Sequence, residues 1–171
     1  MKYYIHFGKL YAMKENSQGA CLCYLKKPMY SLNKVIVSSD GNVITKTEVI
    51  QMNRSKRLEN RRYLLKDAED HVRAEGQLRY AEGADQWPVC HAPRVDSVLL
   101  RMGDSKYVLK MLNSQNFTMT DMDGNRVMGI IHDGVNGGWL VNDNGTFNSC
   151  DIMGVFIFCR YLDKENEFMV V

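Results

Sequence analysis

The sequence lacks a hydrophobic run long enough to cross a bilayer, which takes about 20 apolar residues. Its most apolar segment, Ile152–Leu162, has 11 residues, and one of them, Arg160, is charged. The first eight residues, Met1–Gly8, also lack the apolar core of about 7–15 residues that marks a secretory signal. These two absences predict a cytoplasmic protein, with membrane contact limited to the periphery.

The sequence also lacks the cysteine pattern of a disulfide framework or of a zinc site. Five cysteines is an odd number, and their spacing shows no pairing pattern, so we expect reduced thiols. One residue separates Cys21 from Cys23, and none separates Cys90 from His91. Structural zinc ligands are usually spaced by about two to four residues. We therefore predict no bound metal and no cofactor.

No motif of a catalytic or nucleotide-binding site is present in the sequence either. Gly134–Gly138 is rich in glycine but is not followed by Lys-Ser or Lys-Thr, so it does not match a phosphate-binding loop. Asp121–Asn125 resembles part of a calcium loop, but His132 stands where an EF-hand has its last ligand. No cysteine-hydrolase signature surrounds Cys90-His91. An enzyme would need a site that the sequence does not display.

What the sequence does contain is a long series of short apolar segments separated by turns. Val35–Val37 and Val43–Val49 flank Asp40-Gly41-Asn42, and a similar pair of segments flanks Asp123-Gly124-Asn125. Asp-Gly suits the positive φ angles of a tight hairpin turn, and β-branched residues favour strands. This arrangement predicts a mainly β protein.

Ile152–Leu162 is the segment around which we expect the other elements to pack, because neither a helix nor a strand formed from it has a polar face. Its residue types leave two structures open. Val155–Phe158 favours a central strand, whereas Ser149 or Asp151 as a cap favours a buried helix. We expect the helix, although Gly154 weakens it by about 1 kcal/mol. A buried helix at this position must be enclosed by the preceding strands.

Arg54–Ala74 is densely charged and contains neither glycine nor proline. Leu58, Leu65 and Val72 recur every seven residues, which predicts a charged surface helix with a narrow apolar stripe near residues 54–74. Its bases come early and its acids late, against the helix macrodipole. We expect either a solvated helix or a helix whose basic end faces an anionic partner. The candidate ligand-binding residues on that face are Arg54, Arg57, Arg61 and Arg62.

The order of these elements resembles that of the tubby C-terminal-like superfamily, which includes tubby domains, phospholipid scramblases and LURP-one-related proteins. The resemblance lies in Tyr30-Ser31-Leu32, Asp40-Gly41-Asn42, Phe117–Asn125 and Ile152–Leu162. It implies a closed barrel of about twelve antiparallel strands around a hydrophobic C-terminal helix. It also implies a link to membrane lipids, since tubby domains bind phosphoinositides and scramblases act at membranes.

The predicted protein is a single domain over residues 1–171, with a helical or loop insertion at about 53–93. We expect a non-catalytic β-barrel that binds an anionic phospholipid surface or a protein partner. No nucleic-acid partner is expected, because the net charge is only +2. The alternatives are a structural protein that oligomerises through Leu58, Leu65 and Val72, and an enzyme whose site cannot be recognised in the sequence.

Overall fold

The computed structural model describes residues 1–15, 17–26, 33–51, 61–83 and 94–167, which form twelve strands and one helix. The helix, α1, is Ser149–Glu167. The strands are β1 (Lys2–His6), β2 (Lys9–Lys14), β3 (Ser17–Lys26), β4 (Val35–Ser38), β5 (Val43–Gln51), β6 (Arg61–Asp67), β7 (Val72–Tyr80), β8 (Val95–Met102), β9 (Ser105–Asn113), β10 (Asn116–Asp121), β11 (Arg126–His132) and β12 (Trp139–Asp143).

The strands form a closed barrel in which every strand pairs antiparallel with its neighbours in the chain. β1 closes the barrel by pairing with β12, so that Tyr3 lies opposite Val141 and Ile5 opposite Trp139. Closure pairs both edges of the sheet, which removes the exposed edge that would otherwise invite association. The predicted mainly β fold, a closed antiparallel barrel with a C-terminal helix, is confirmed.

α1 lies inside the barrel, which confirms the prediction of a buried helix. Ile152, Cys159 and Leu162 are fully buried, and Phe158 is 1% exposed. Every residue from Ile152 to Cys159 is buried, which is just over two turns, so all sides of α1 are covered. The helix contacts β3, β4, β5, β8 and β9. A helix surrounded by protein exposes no side to water, which explains why Ile152–Cys159 contains only apolar residues and one glycine.

The cap of α1 differs from the prediction. The side-chain oxygen of Asn148 accepts hydrogen bonds from the backbone N–H groups of Cys150 and Asp151, both at 3.0 Å. Asn148 is therefore the N-cap residue, and the assignment of the cap to Ser149 or Asp151 is wrong. Asp151 lies one turn further on and forms an ion pair with Arg73 of β7 at 3.2 Å. This ion pair links the first turn of α1 to β7.

The two predicted Asp-Gly-Asn turns have the same geometry. In the β4–β5 turn Gly41 has a φ of +86°, and the N–H of Ser38 bonds to the carbonyl of Asn42. In the β10–β11 turn Gly124 has a φ of +87°, and the N–H of Asp121 bonds to the carbonyl of Asn125. Glycine adopts this left-handed backbone conformation without a Cβ clash, which is why the Asp-Gly pairs predicted tight turns at these two positions.

The helix predicted near residues 54–74 is wrong for residues 61–74, which form β6, a turn and the start of β7. Tyr63 and Leu65 point into the barrel from β6, and Ala74 does so from β7. These positions follow the two-residue period of strands, and pairing with β5 and β8 outweighs the local helix propensity. Residues 61–80 thus belong to the barrel, not to an insertion. Residues 54–60 lie outside the described residues.

Candidate functional site

The outer surface of β6–β9 carries a group of cationic side chains from all four strands. Pairing places Arg62 beside Gln77, and Gln77 beside Leu99. In the next row, Glu75 pairs with Arg101, and Arg101 pairs with Lys106. Alternate residues of a strand point to the same side, so these residues share the outer surface while their neighbours fill the core. We call this surface the basic wall; it comprises Arg62, Glu75, Arg79, Arg101, Lys106 and Lys110.

Glu75 lies between two of the arginines of the basic wall. Arg62 Nη1 is 2.7 Å from Glu75 Oε1, and Arg101 Nη2 is 3.4 Å from Glu75 Oε2. One carboxylate thus neutralises part of the charge of five cations. Two further acids of these strands, Asp67 and Asp96, lie near the strand ends. The basic wall therefore keeps a surplus of positive charge.

The basic wall is open to solvent rather than folded around a deep cavity. The side chains of Arg62 and Arg101 are 43% and 63% exposed, and Arg79, Lys106 and Lys110 are exposed as well. A shallow depression of about 340 Å³ lies among Arg62, Gln77 and Leu99. Because strand pairing holds the backbone, the cations are presented at fixed spacings on a broad surface. This geometry suits an extended anionic surface better than a small enclosed ligand.

The structure separates the predicted site residues. Arg62 points outward into the basic wall, whereas Arg61, its neighbour on the strand, pairs with Glu165 near the end of α1. Tyr63 donates a hydrogen bond to the same Glu165 carboxylate at 3.3 Å. The expectation that these arginines share one face is wrong for Arg61 and Arg62. Arg54 and Arg57 lie outside the described residues, and ligand binding by the four arginines stays a prediction.

Replacing Arg61 by glutamine is expected to lower the free energy of unfolding by about 1–3 kcal/mol. The reason is that the Glu165 side chain, 14% exposed, would lose its cation. The same replacement at Arg101, whose side chain is 63% exposed, should cost less than about 0.5 kcal/mol. Urea denaturation of the two variants measures the difference. Equal costs would contradict the inward placement of Arg61.

The fold also separates Leu65 and Val72, two residues of the predicted oligomerisation stripe. Leu65 is 1% exposed and belongs to the core of the barrel. Val72 is 53% exposed at the start of β7, beyond the turn that follows β6. A separation of seven residues places side chains on one face of a helix, but not across a hairpin. Leu65 is therefore covered by the barrel itself, and Leu58 lies outside the described residues. Oligomerisation stays a prediction.

Three of the four described cysteines are buried thiols. Cys23, Cys150 and Cys159 are buried, and Cys21 is half-buried. Burial, with a smaller contribution from Cys150, raises the pKa of Cys23 to about 12, and burial also raises the pKa of Cys159. A thiol of this kind is a poor nucleophile, because the thiolate is the reactive form. Cys90 and His91 lie outside the described residues.

Two acidic turns have structural explanations. Asp67, Glu69 and His71 bring their ligand atoms within 4.8 Å of one another on the β6–β7 turn. Asp67 Oδ1, however, already accepts hydrogen bonds from the N–H groups of Glu69 and His71. In the β10–β11 turn, Asp121 accepts from the N–H groups of Asp123 and Asn125 in the same manner. Both carboxylates hold their turns together.

Most of the basic wall could not be recognised along the sequence, because its members are scattered from residue 62 to residue 110. One local signal is the spacing of Lys106 and Lys110, which are four residues apart with three apolar residues between them, so that both lysines lie on the same side of a strand. The grouping with Arg62 and Glu75 depends on the register of four strands. That register becomes visible only once the barrel is closed.

The chain matches no family model, no curated protein and no solved structure. The barrel and its central helix have the architecture that the tubby-like resemblance implied. This architecture does not by itself identify that superfamily, so the family assignment stays a prediction. No helix among the described residues combines the length and the apolarity that crossing a bilayer requires.

Proposed function

We propose that this protein is a non-catalytic β-barrel module that attaches reversibly to an anionic phospholipid surface through the basic wall. The observation that carries the proposal is the row-by-row placement of Arg62, Arg79, Arg101, Lys106 and Lys110 on one exposed surface around a single carboxylate, Glu75. The resemblance to tubby-like proteins, among which tubby domains bind phosphoinositides, agrees with the same function.

The charge on the basic wall is of the right size for weak attachment. A lysine or arginine close to an anionic membrane contributes about 1 kcal/mol. Five cations offset by one carboxylate would therefore contribute about 4 kcal/mol, which corresponds to a dissociation constant on the order of 1 mM. Attachment of this strength is reversible and is weakened by salt, because exposed charges are screened over about 8–10 Å.

An extended lipid surface fits the basic wall better than a single bound phosphate does. Glu75 lies between Arg62 and Arg101, so a phosphate placed there would meet a carboxylate. An array of lipid headgroups can instead pair with the outer cations and leave Glu75 with its arginines. The rigid barrel wall loses little conformational entropy when it docks on such an array.

In vesicle co-sedimentation, we expect the Arg101→Glu/Lys106→Glu variant to bind phosphatidylserine-containing vesicles at least about tenfold more weakly than wild type at low salt. The variant changes the charge of the basic wall by four units. A matched control is Lys9→Glu/Lys14→Glu, which makes the same charge change at exposed lysines of β2. β2 lies six strands from β8, on the opposite side of the barrel.

The control variant should keep most of the wild-type binding, and neutral phosphatidylcholine vesicles should bind none of the three proteins. Thermal melting checks that each variant is folded. Equal losses in the two variants would show that net charge, not the basic wall, governs binding. That result, or the absence of wild-type binding to anionic vesicles, would reject the proposed function.

A further inference from the structure

A groove of about 480 Å³ lies on the outer surface of the barrel, on the side opposite the basic wall. Tyr4 and His6 of β1 line it, together with Leu140 of β12. Asp133 and Asn136, from the loop between β11 and β12, line the groove as well. Aromatic, apolar and anionic groups thus meet in a space large enough for a long side chain.

The aromatic part of the groove is a corner formed by Tyr4 and His6 of β1, and the ring of Phe7, in the turn that follows, lies against His6. The ring centroids of Tyr4 and His6 are 5.7 Å apart, and those of His6 and Phe7 are 4.1 Å apart. Tyr4 is fixed in position because its hydroxyl donates a hydrogen bond to the carbonyl of Gly137 at 2.6 Å. Ring faces in such a corner attract a cation through their quadrupoles.

Phe7 is an unusual residue for its position. It begins the tight β1–β2 turn with a φ of +48°, a conformation in which bulky residues are rare, and it is 86% exposed. Neither local backbone preference nor burial in the described structure explains a phenylalanine there. A strained, exposed aromatic residue beside a groove is what a docking surface would require.

The carboxylate of the groove is held in place by its own loop. Asp133 Oδ1 accepts a hydrogen bond from the N–H of Val135 at 3.3 Å, and Oδ2 accepts one from Asn136 Nδ2 at 3.0 Å. The Asn136 side chain and the loop N–H groups lower the pKa of Asp133, so this group is anionic at neutral pH. Tyr4 lines the same groove; burial raises the pKa of Tyr4, and the Asp133 carboxylate adds to that rise.

The edge of the groove is apolar. Val135 at the tip of the β11–β12 loop is 92% exposed, and Leu140 and Ile131 are 37% and 42% exposed. Ile131 pairs with Leu140, and Leu140 pairs with Tyr4, so the three form a continuous row across β11, β12 and β1. An apolar row next to a fixed carboxylate complements a protein segment that carries a cation among apolar residues.

We propose that this groove accepts a lysine or arginine side chain of a partner protein, with the cation against Asp133 and the Tyr4–His6 corner. The apolar neighbours of that side chain in the partner would cover Leu140, Val135 and Phe7. The inference does not depend on the proposed membrane attachment. The two surfaces face opposite sides of the barrel, so a protein attached by the basic wall would present the groove to partners in solution.

The test is an NMR titration of the isotope-labelled full chain with N-acetyl-arginine amide. Its neutral isostere, N-acetyl-citrulline amide, serves as the ligand control. We expect saturable shifts at Tyr4, His6 and Asn136 with the arginine compound and none with the citrulline compound. Asp133→Asn should weaken binding about three- to fivefold, the size of effect typical of an exposed ion pair.

Asp121→Asn is a matched control for that substitution, because Asp121 has the same hydrogen-bonding role in the β10–β11 turn. It should leave the dissociation constant unchanged. Leu140→Lys places a cation in the lining of the groove without changing the Asp133 loop and should also weaken binding. Equal shifts from citrulline, or wild-type binding by both Asp133→Asn and Leu140→Lys, would overturn the proposal.

Discussion

Replacing Phe158 by aspartate is expected to unfold the barrel. Phe158 is 1% exposed, and its ring lies 5.6 Å from the ring of Tyr63 and 6.4 Å from that of Tyr161. The substitution removes packing worth about 3–5 kcal/mol and leaves a carboxyl group without a partner, which costs several kcal/mol more. Together these losses approach or exceed the stability of a typical domain, about 5–15 kcal/mol.

Circular dichroism and thermal melting would show the loss of the cooperative transition. The control is Lys164→Asp, a substitution at an exposed position of α1. It should cost no more than about 1 kcal/mol, because it only reverses a charge near the C-terminus of the helix. If Phe158→Asp melted like wild type, α1 could not lie inside the barrel.

The burial of the C-terminal apolar segment was predictable, although its residue types left a helix and a strand both open. A segment without any polar face, such as Ile152–Leu162, must be covered on every side, and only a surrounding sheet or bundle can do that. The Asp-Gly turns were predictable for a similar reason, since Gly41 and Gly124 adopt backbone angles that few residues tolerate. Both features depend on residues that are close together in the sequence, so they can be recognised without knowledge of the fold.

β6 and β7 could not be predicted in the same way, because their inward positions are only partly apolar. Gly76 faces the core at a point where a Cβ atom would come within 2.7 Å of Val98, so only glycine fits there. The apolar side chain that would mark this inward position of a strand in the sequence is therefore missing. The charged residues between Tyr63 and Ala74 obscured the two-residue period further. Pairing with β5 and β8 stabilises β6 and β7 as strands. These pairings cannot be recognised from the residues of β6 and β7 alone.

Only the basic character of the candidate site was predictable from the sequence. Basic residues were expected to face an anionic partner, and Arg62 does lie on the basic wall. Arg79, Arg101 and Lys110 were not identified, because they join Arg62 through the register of β7, β8 and β9. Arg61 shows the converse: its inward ion pair with Glu165 joins residues 104 positions apart, beyond the reach of any periodicity argument.

Gly154→Val is expected to lower the free energy of unfolding by about 1–3 kcal/mol, through overpacking against Leu65. A Cβ atom on Gly154 would lie 2.7 and 2.8 Å from the two terminal methyl carbons of Leu65. Leu65 is 1% exposed, so it has no free space into which to turn. Replacing glycine inside a helix normally favours the helix, by about 1 kcal/mol for alanine and by less for the β-branched valine. A net loss would therefore identify the contact with Leu65 as the cause.

A double-mutant cycle separates this contact from a general disturbance of α1. Leu65→Ala alone should cost about 2–5 kcal/mol, since it opens a cavity beside Gly154. In the double variant the valine side chain can occupy that cavity, so the total cost should fall short of the sum by at least about 1 kcal/mol. Urea denaturation of the four proteins gives the coupling energy. Strict additivity would mean that Leu65 does not face α1, and the inward orientation of β6 would then be wrong.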